Sequence, residues 1–310
     1  MVKKKENLFE FPRPMDNENL VGHADTLRAF LDAWARRDSY PIHPVWILAG
    51  PRGIGKATLA YRLARRVFSD LMGRSESDIA AQMSVGGIGD LFVVDMEHNL
   101  AASATAKTIS VDTVRAMIDK LRLSSMAESW RVVIIDSLDE LSDKTPNALL
   151  KTLEEPPAKT IFFLISHSLD RTLPTIRSRA RVEKLRPLSG MELREIAARL
   201  MPGHEIEQSL IRIAAGSFGR VASLISSGAA SLFDEIMTML ESPSTNSADC
   251  LAAAKKLAKN PENMSILADV AAARGQAWMY PTVLSAIERM NLVHLDPETT
   301  AFRIIGEMRK

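Results

Sequence analysis

The chain has 310 residues, of which 46% are hydrophobic and 25% are charged, and its formal net charge at pH 7 is +1. This composition excludes wholesale disorder, and the balanced charge argues against a free-standing, strongly basic nucleic-acid binder, whose phosphate contacts need an excess of cations. Cys250 is the single cysteine, which excludes an internal disulfide and a cysteine-clustered zinc site.

The sequence carries no sign of a membrane or secretory segment. The basic N-terminus, Met1 to Glu6, is not followed by the apolar stretch that a secretory signal requires. No apolar run approaches the roughly 20 residues that span a bilayer. Together with the single cysteine, these features predict a cytoplasmic protein with no membrane partner.

Five short apolar runs, rich in β-branched residues, alternate with helical stretches in the first half of the chain. They cover residues 45–49, 91–95, 132–136, 161–166 and, more weakly, 181–185. Strands that are apolar along their whole length are typical of a parallel sheet covered by helices on both faces. The first half is therefore predicted to be an α/β domain.

From Ser189 onward the sequence carries helix signals and no comparable strand pattern. Ser189 and Glu192 match the pattern of a capping box, and the composition at 187–190 and 241–247 is typical of a domain junction and a linker. These features predict three domains, namely an α/β domain over residues 1–187, a small helical domain over 188–227 and a helical bundle over 228–310.

A G-x-x-x-x-G-K pattern follows the first predicted strand and opens a predicted helix. Its glycines allow the backbone to curl around phosphate oxygens, the helix N-terminus presents free N–H groups, and Lys56 adds a positive charge. The pattern therefore predicts a nucleotide-binding phosphate loop. The candidate residues are Gly50, Pro51, Gly53, Ile54, Gly55, Lys56, Ala57 and Thr58.

One position of this loop departs from the pattern of active ATPases. Ala57 follows the lysine, where a Ser or Thr hydroxyl would bind Mg²⁺. Thr58 is adjacent, but one helical step turns a side chain by about 100°, so its hydroxyl should point elsewhere. The loop is therefore expected to bind nucleotide weakly if at all.

A second departure follows the strand 132–136. Asp136 ends this strand and is expected beside the phosphate loop, where it could hold Mg²⁺ through water. Ser137 stands where an active ATPase has an acid that positions the attacking water, and Asp139 and Glu140 are interpreted as solvated or helix-capping residues. We therefore expect little or no ATPase activity, with ATP and Mg²⁺ bound weakly or not at all, and no zinc.

The residues after Asp136 resemble a known family. Residues 142–157 read SDKTPNALLKTLEEPP, a strand IFFLIS follows, and Ser178-Arg179-Ala180 comes next. This resembles the clamp-loader subunits of the AAA+ ATPases, with their NALLKxLEEPP signature and their S-R-C arginine-finger motif. Residues 109–115 are similar to the I-x-V-D-x-V-R segment of bacterial members. The resemblance runs from about residue 19 to 226.

Among clamp-loader subunits of bacterial DNA polymerase III, the delta-prime type is the most similar, since its ATPase motifs have typically decayed as here. The resemblance implies a P-loop AAA+ sheet domain, a helical lid domain and a C-terminal helical collar. It implies that Arg179 enters the ATP site of a neighbouring subunit, and that Ser166 and Arg220 occupy the two sensor positions, with a structural role for Arg220 equally open. Glu154 and Glu155 are interpreted as capping and surface residues.

The partners that the resemblance implies are the tau/gamma motor and delta subunits, and, through the assembled complex, the sliding clamp and primer–template DNA. The chain would then belong to a nucleotidyltransferase complex without being its ATPase. Two alternatives stay open, namely a catalytic tau/gamma-type ATPase and a stand-alone P-loop DNA motor such as a branch-migration helicase. Strong ATP hydrolysis by the purified chain would favour either of them.

Overall fold

A computed structural model describes residues 11–96, 108–123, 129–142, 144–203 and 205–309. The chain divides into two compact units, Phe11–Ile196 and Ala197–Lys310. The predicted division into three domains, with boundaries after residues 187 and 227, stays a prediction.

The N-terminal unit contains one sheet of five parallel strands in the order β2-β3-β4-β1-β5. The strands are β1 (Val45–Ala49), β2 (Leu91–Asp95), β3 (Arg131–Asp136), β4 (Thr160–Ser166) and β5 (Arg181–Lys184). All five predicted strands are confirmed, with ends that differ by one residue at most. The helices are α1 (Ala24–Ala35), α2 (Lys56–Met72), α3 (Glu76–Ser84), α4 (Val111–Leu123), α5 (Thr145–Glu154), α6 (Pro174–Arg177) and α7 (Gly190–Leu200), the last of which ends beyond Ile196.

The sheet is buried on both faces because its central strands are apolar at every interior position. Successive side chains of a strand point to opposite faces, so each strand supplies two cores. Trp46 and Phe163 belong to the core that also contains residues of α1 and α2. Ile47 and Phe162 belong to the core that contains residues of α4 and α5. The predicted sheet with helices on both faces is therefore confirmed.

The carboxyl ends of β1, β3 and β4 meet at one edge of the sheet. Ala49 pairs with Ser166, and β4 lies between β1 and β3. In a parallel sheet the connections that leave this edge form the ligand-binding crevice. The order of the strands therefore brings the phosphate loop, Asp136 and Ser166 to the same edge.

The C-terminal unit consists of helices over the residues that the structure describes. They are α8 (Gln208–Ala214), α9 (Phe218–Ser226), α10 (Ala229–Glu241), α11 (Ser247–Ala258), α12 (Ile266–Ala273), α13 (Tyr280–Val293) and α14 (Pro297–Met308). The predicted linker at 241–247 separates α10 from α11, and Asn246 caps α11 in a capping box with Asp249. Within the described ranges, none of the helices has both the length and the apolar character needed to cross a bilayer.

Candidate nucleotide-binding site

The turn between β1 and α2 has the conformation of a phosphate loop. A side chain at Gly50 would place its Cβ 2.7 Å from the Leu185 carbonyl oxygen, and Gly55 has a left-handed φ of 97°. Both positions therefore favour glycine. Gly55 is the N-cap of α2, and no side chain caps this helix end. The N–H groups of the first helical turn can therefore serve an anion in the loop.

The Lys56 side chain is buried and turns back onto the loop. Its Nζ donates a hydrogen bond to the Gly50 carbonyl at 2.7 Å and another to the Pro51 carbonyl. Burial lowers the pKa of Lys56 to about 8, although the carboxylates of Asp136 and Asp139 act in the opposite direction. The Lys56 ammonium group thus binds carbonyls of its own loop, at the place where the sequence pattern predicts that it contacts phosphate.

Asp136 lies at the end of β3 in a partly buried position. Burial raises its pKa to about 6, and the nearby Glu140 and Asp95 act in the same direction. The adjacent Ser137 is fully buried, and its Oγ has no hydrogen-bond partner. Mg²⁺ at a phosphate loop is held by the hydroxyl that follows the lysine, and the alanine at position 57 has no oxygen to supply, so the site lacks one of its usual ligands. The residues present fit a phosphate group better than they fit Mg²⁺.

The two acids that follow Ser137 are both engaged with the loops around the site. Glu140 forms an ion pair with Arg52 of the phosphate loop, with Nη2 2.7 Å from Oε1. The Asp139 carboxylate accepts the backbone N–H groups of His167 at 2.5 Å and of Ser168 at 3.1 Å. Asp139 thus binds the backbone at the end of β4, and Glu140 contacts the phosphate loop through Arg52.

Ser166 joins the end of β4 to the phosphate loop. Its carbonyl accepts the N–H of Gly50 at 3.1 Å, and its hydroxyl lies 3.0 Å from the hydroxyl of Thr172. The side chain is fully buried. Ser166 therefore lies at the same edge as the loop and Asp136, and its sensor role stays a prediction.

His23 is a site residue that the sequence reasoning missed. Its buried ring lies directly before α1, and Nε2 donates to the Ile54 carbonyl of the phosphate loop at 2.7 Å. Gly22 and His23 are both left-handed, with φ of 78° and 60°. The Gly-His pair just before α1 could have indicated a left-handed turn there. The contact of His23 with Ile54 could not be predicted in this way, because the two residues are 31 positions apart in the sequence.

Arg179 lies in the turn that follows α6. Its Nη2 lies 2.6 Å from Oε1 of Glu154, and its Nη1 donates to the Thr175 carbonyl at 2.8 Å. The arginine side chain remains 34% exposed. The candidate arginine finger is thus held by its own unit and is still accessible from solvent.

The family model described as DNA polymerase III, delta subunit, matches residues 31–189, slightly more than half of the chain. The chain belongs to the DNA polymerase III delta subunit family. A DNA polymerase III subunit delta' of Pseudomonas aeruginosa is 32% identical over 179 residues, which cover 56% of this chain and 52% of the relative. A subunit tau of Salmonella typhimurium is 28% identical over 307 residues, which cover 92% of this chain and 45% of the relative. The chain spans about half the length of these curated relatives.

Among solved structures, a DNA polymerase III gamma subunit-related protein from Thermotoga maritima resembles this member of the delta subunit family. The match covers 92% of this chain and 97% of the other, at 15% identity and a TM-score of 0.42. This likeness is too distant to add to the assignment. The family match itself confirms the predicted resemblance to clamp-loader subunits and, with the parallel sheet and its phosphate loop, the predicted AAA+ fold.

Arg220 of this delta subunit family member lies in the C-terminal unit, at the start of α9. Its guanidinium donates to the carboxylate of Asp269 on α12. The neighbouring Ser217 caps α9 through the N–H of Arg220 at 3.1 Å. Arg220 therefore links two helices of its own unit, and its predicted contact with nucleotide stays a prediction.

Acidification should destabilise the N-terminal unit through His167. Burial and the charge of Lys56 lower the pKa of His167 to about 4, below the ordinary value of 6.5. Between these two pH values the unfolded chain binds a proton at His167 that the folded chain does not bind. The free energy of unfolding therefore falls as the pH falls from about 6.5 towards 4. At pH 5 we expect a loss of about 1 to 2 kcal/mol relative to pH 7 from this group.

Denaturant unfolding of the wild type and of His167→Gln at pH 7 and pH 5 measures this contribution. The variant should lose less stability than the wild type over this interval. His23, whose pKa is also lowered by burial, should contribute in the same direction, so His23→Gln and the double variant separate the two. Equal losses in the wild type and in His167→Gln would exclude His167 as the source.

Proposed function

We propose that this chain is a non-motor subunit of the DNA polymerase III clamp loader. It supports the ATP-dependent loading of the sliding clamp on primed DNA, and it donates Arg179 to the ATP site of a neighbouring motor subunit. The observation that carries this proposal is the pairing of a retained phosphate loop with Ala57 and Ser137. The proposed role is a cytoplasmic one.

The non-motor role is supported by the chemistry of phosphoryl transfer. Hydrolysis of ATP needs Mg²⁺ on the β- and γ-phosphates and a group that orients the attacking water. Ala57 has no oxygen for the metal, and Ser137 has no carboxylate for the water. Asp139 and Glu140 cannot substitute without giving up their contacts with His167 and Arg52. The site can therefore receive phosphate through loop N–H groups and Lys56 without supporting turnover.

The cofactor part of the proposal follows from the same residues. ATP is bound weakly or not at all in this chain, Mg²⁺ has no adequate ligand set, and no zinc is used. The first statement is supported by Lys56, whose Nζ is engaged by two carbonyls of its own loop, and the second by the alanine at position 57. The sequence between residues 69 and 89 contains no cysteine, which supports the third.

The partners that we propose are the tau/gamma motor and delta subunits, with the sliding clamp and primer–template DNA reached through the assembly. The similarity to a DNA polymerase III subunit delta' supports this assignment. An arginine suits the role in trans because its planar, permanently charged guanidinium can stabilise charge that develops on the γ-phosphate. The exposed part of Arg179 supports such a contact.

A catalytic motor of the tau/gamma type is the second candidate. It is favoured by the similarity to a tau subunit over 92% of this chain. Ala57 and Ser137 argue against it, as they also argue against a stand-alone DNA motor. ATP hydrolysis by the isolated chain decides between these functions.

We expect the purified chain to show no DNA-stimulated ATP hydrolysis, and to restore clamp loading when it is combined with tau/gamma and delta subunits. Phosphate release and clamp loading on primed DNA are the two measurements. Lys56→Ala is the control, because turnover by this chain's own loop would require the lysine, whereas a contaminating ATPase would not. Turnover that Lys56→Ala abolishes would identify a motor. Failure to join the other subunits would exclude the clamp-loader role.

A further inference from the structure

The Arg179 guanidinium is held by residues of two different helices. The carboxylate of Glu154, the last residue of α5, is 2.6 Å from Nη2, and the Thr175 carbonyl of α6 accepts from Nη1 at 2.8 Å. Nη1 also lies 3.3 Å from the hydroxyl of Ser178. These contacts leave the Nε–H group and one N–H group of Nη2 for a further acceptor. Two such donors are enough for a bidentate contact with phosphate oxygens.

Both helices that hold the guanidinium are fixed in the core. Leu149 and Leu153 of α5 and Ile176 of α6 are buried in the same apolar cluster on one face of the sheet. The groups that touch Arg179 are therefore carried on rigid elements. A side chain held in this way loses less rotamer freedom when it binds than a free surface arginine would.

The neighbouring arginines make different contacts. Arg177 contacts the Leu169 carbonyl at 3.4 Å, and Arg181 lies over the ring of Trp46 and pairs with Glu183. The Glu154 carboxylate pairs with Arg179. Since the side chains of Glu154 and Arg179 are 47% and 34% exposed, their ion pair adds little to the stability of the fold.

We propose that Glu154 is a positioning residue for Arg179. Its carboxylate orients the guanidinium so that the unengaged N–H groups face the γ-phosphate bound by a neighbouring motor subunit. This inference rests on the proposed function, because it requires Arg179 to act in trans.

The test is steady-state ATP hydrolysis by the reconstituted loader with sliding clamp and primed DNA. Glu154→Ala should lower kcat about tenfold and leave the KM for ATP unchanged, because the contact with Arg179 stabilises the transition state and not the bound nucleotide. Glu154→Gln, which keeps an acceptor oxygen at the same distance, should fall between alanine and the wild type. Glu155→Ala, at the exposed acid next along the chain, is the matched control and should behave as the wild type. The melting temperature should be the same for all four chains.

The outcomes separate this inference from the proposed function. If Arg179→Ala leaves turnover unchanged, the role of Arg179 in trans fails and the role of Glu154 fails with it. If Arg179→Ala lowers kcat but Glu154→Ala does not, or raises it, only the role of Glu154 is overturned. The double variant should be no slower than Arg179→Ala alone, since Glu154 acts through the arginine. An additive loss in the double variant would also overturn the inference.

Discussion

Arg179→Ala should lower ATP hydrolysis at the neighbouring ATP site of the assembled clamp loader about 10³-fold or more while this chain stays folded. An arginine supplied to a neighbouring ATP site stabilises charge on the transferring phosphoryl group, and such arginines contribute factors of about 10³ to 10⁵ to kcat. The fold should tolerate the change because the Arg179 side chain is partly exposed and its ion pair with Glu154 is accessible to solvent.

Two variants control this measurement. Arg171→Ala removes an exposed arginine of the same region and should leave turnover unchanged. Arg179→Lys keeps the charge but loses the planar fork, so it should restore only a small part of the activity. Turnover is measured as phosphate release by the assembly with clamp and primed DNA. Wild-type turnover in Arg179→Ala would exclude this residue as the arginine finger.

Arg220→Ala should lower the free energy of unfolding of the C-terminal unit by about 2 to 3 kcal/mol. The Asp269 side chain is only 10% exposed, and its pairing with Arg220 joins α9 to α12. Burial raises the pKa of Asp269, and Arg220 opposes this shift. Removing the arginine would leave a buried carboxyl without its partner, which costs more than the loss of one surface contact.

Denaturant unfolding followed by circular dichroism measures this change. Arg212→Ala, at an exposed arginine of α8, is the matched control and should stay within about 0.5 kcal/mol of the wild type. Arg220→Ala combined with Asp269→Ala should recover part of the loss, because the uncompensated carboxyl is then absent. If Arg220→Ala unfolds at the same denaturant midpoint as the wild type, the ion pair contributes nothing to the stability of the unit. Arg220 would then be available to contact nucleotide.

The sequence alone determined the strands and the phosphate loop of this protein. The three central strands, β1, β3 and β4, are almost uninterrupted apolar runs, and a strand buried on both faces leaves just this pattern in the sequence. The edge strand β5 is charged at three of its four positions, so its signal in the sequence was weaker. The phosphate loop could be identified in the same way, because its glycines and its lysine all lie within the seven residues 50–56. The departures at Ala57 and Ser137 could be identified for the same reason, because each is defined by its neighbour along the chain.

The tertiary structure alone decided which side chains surround that loop and which side chains hold the arginine. The contact between His23 and Ile54 spans 31 residues, and that between Arg52 and Glu140 spans 88. Glu154 of α5 pairs with Arg179 in the turn after α6, and Arg220 of α9 pairs with Asp269 of α12, so these contacts too join different elements. Periodicity and motif spacing describe neighbours along the chain, whereas these contacts depend on the order of the strands in the sheet and on how the helices pack.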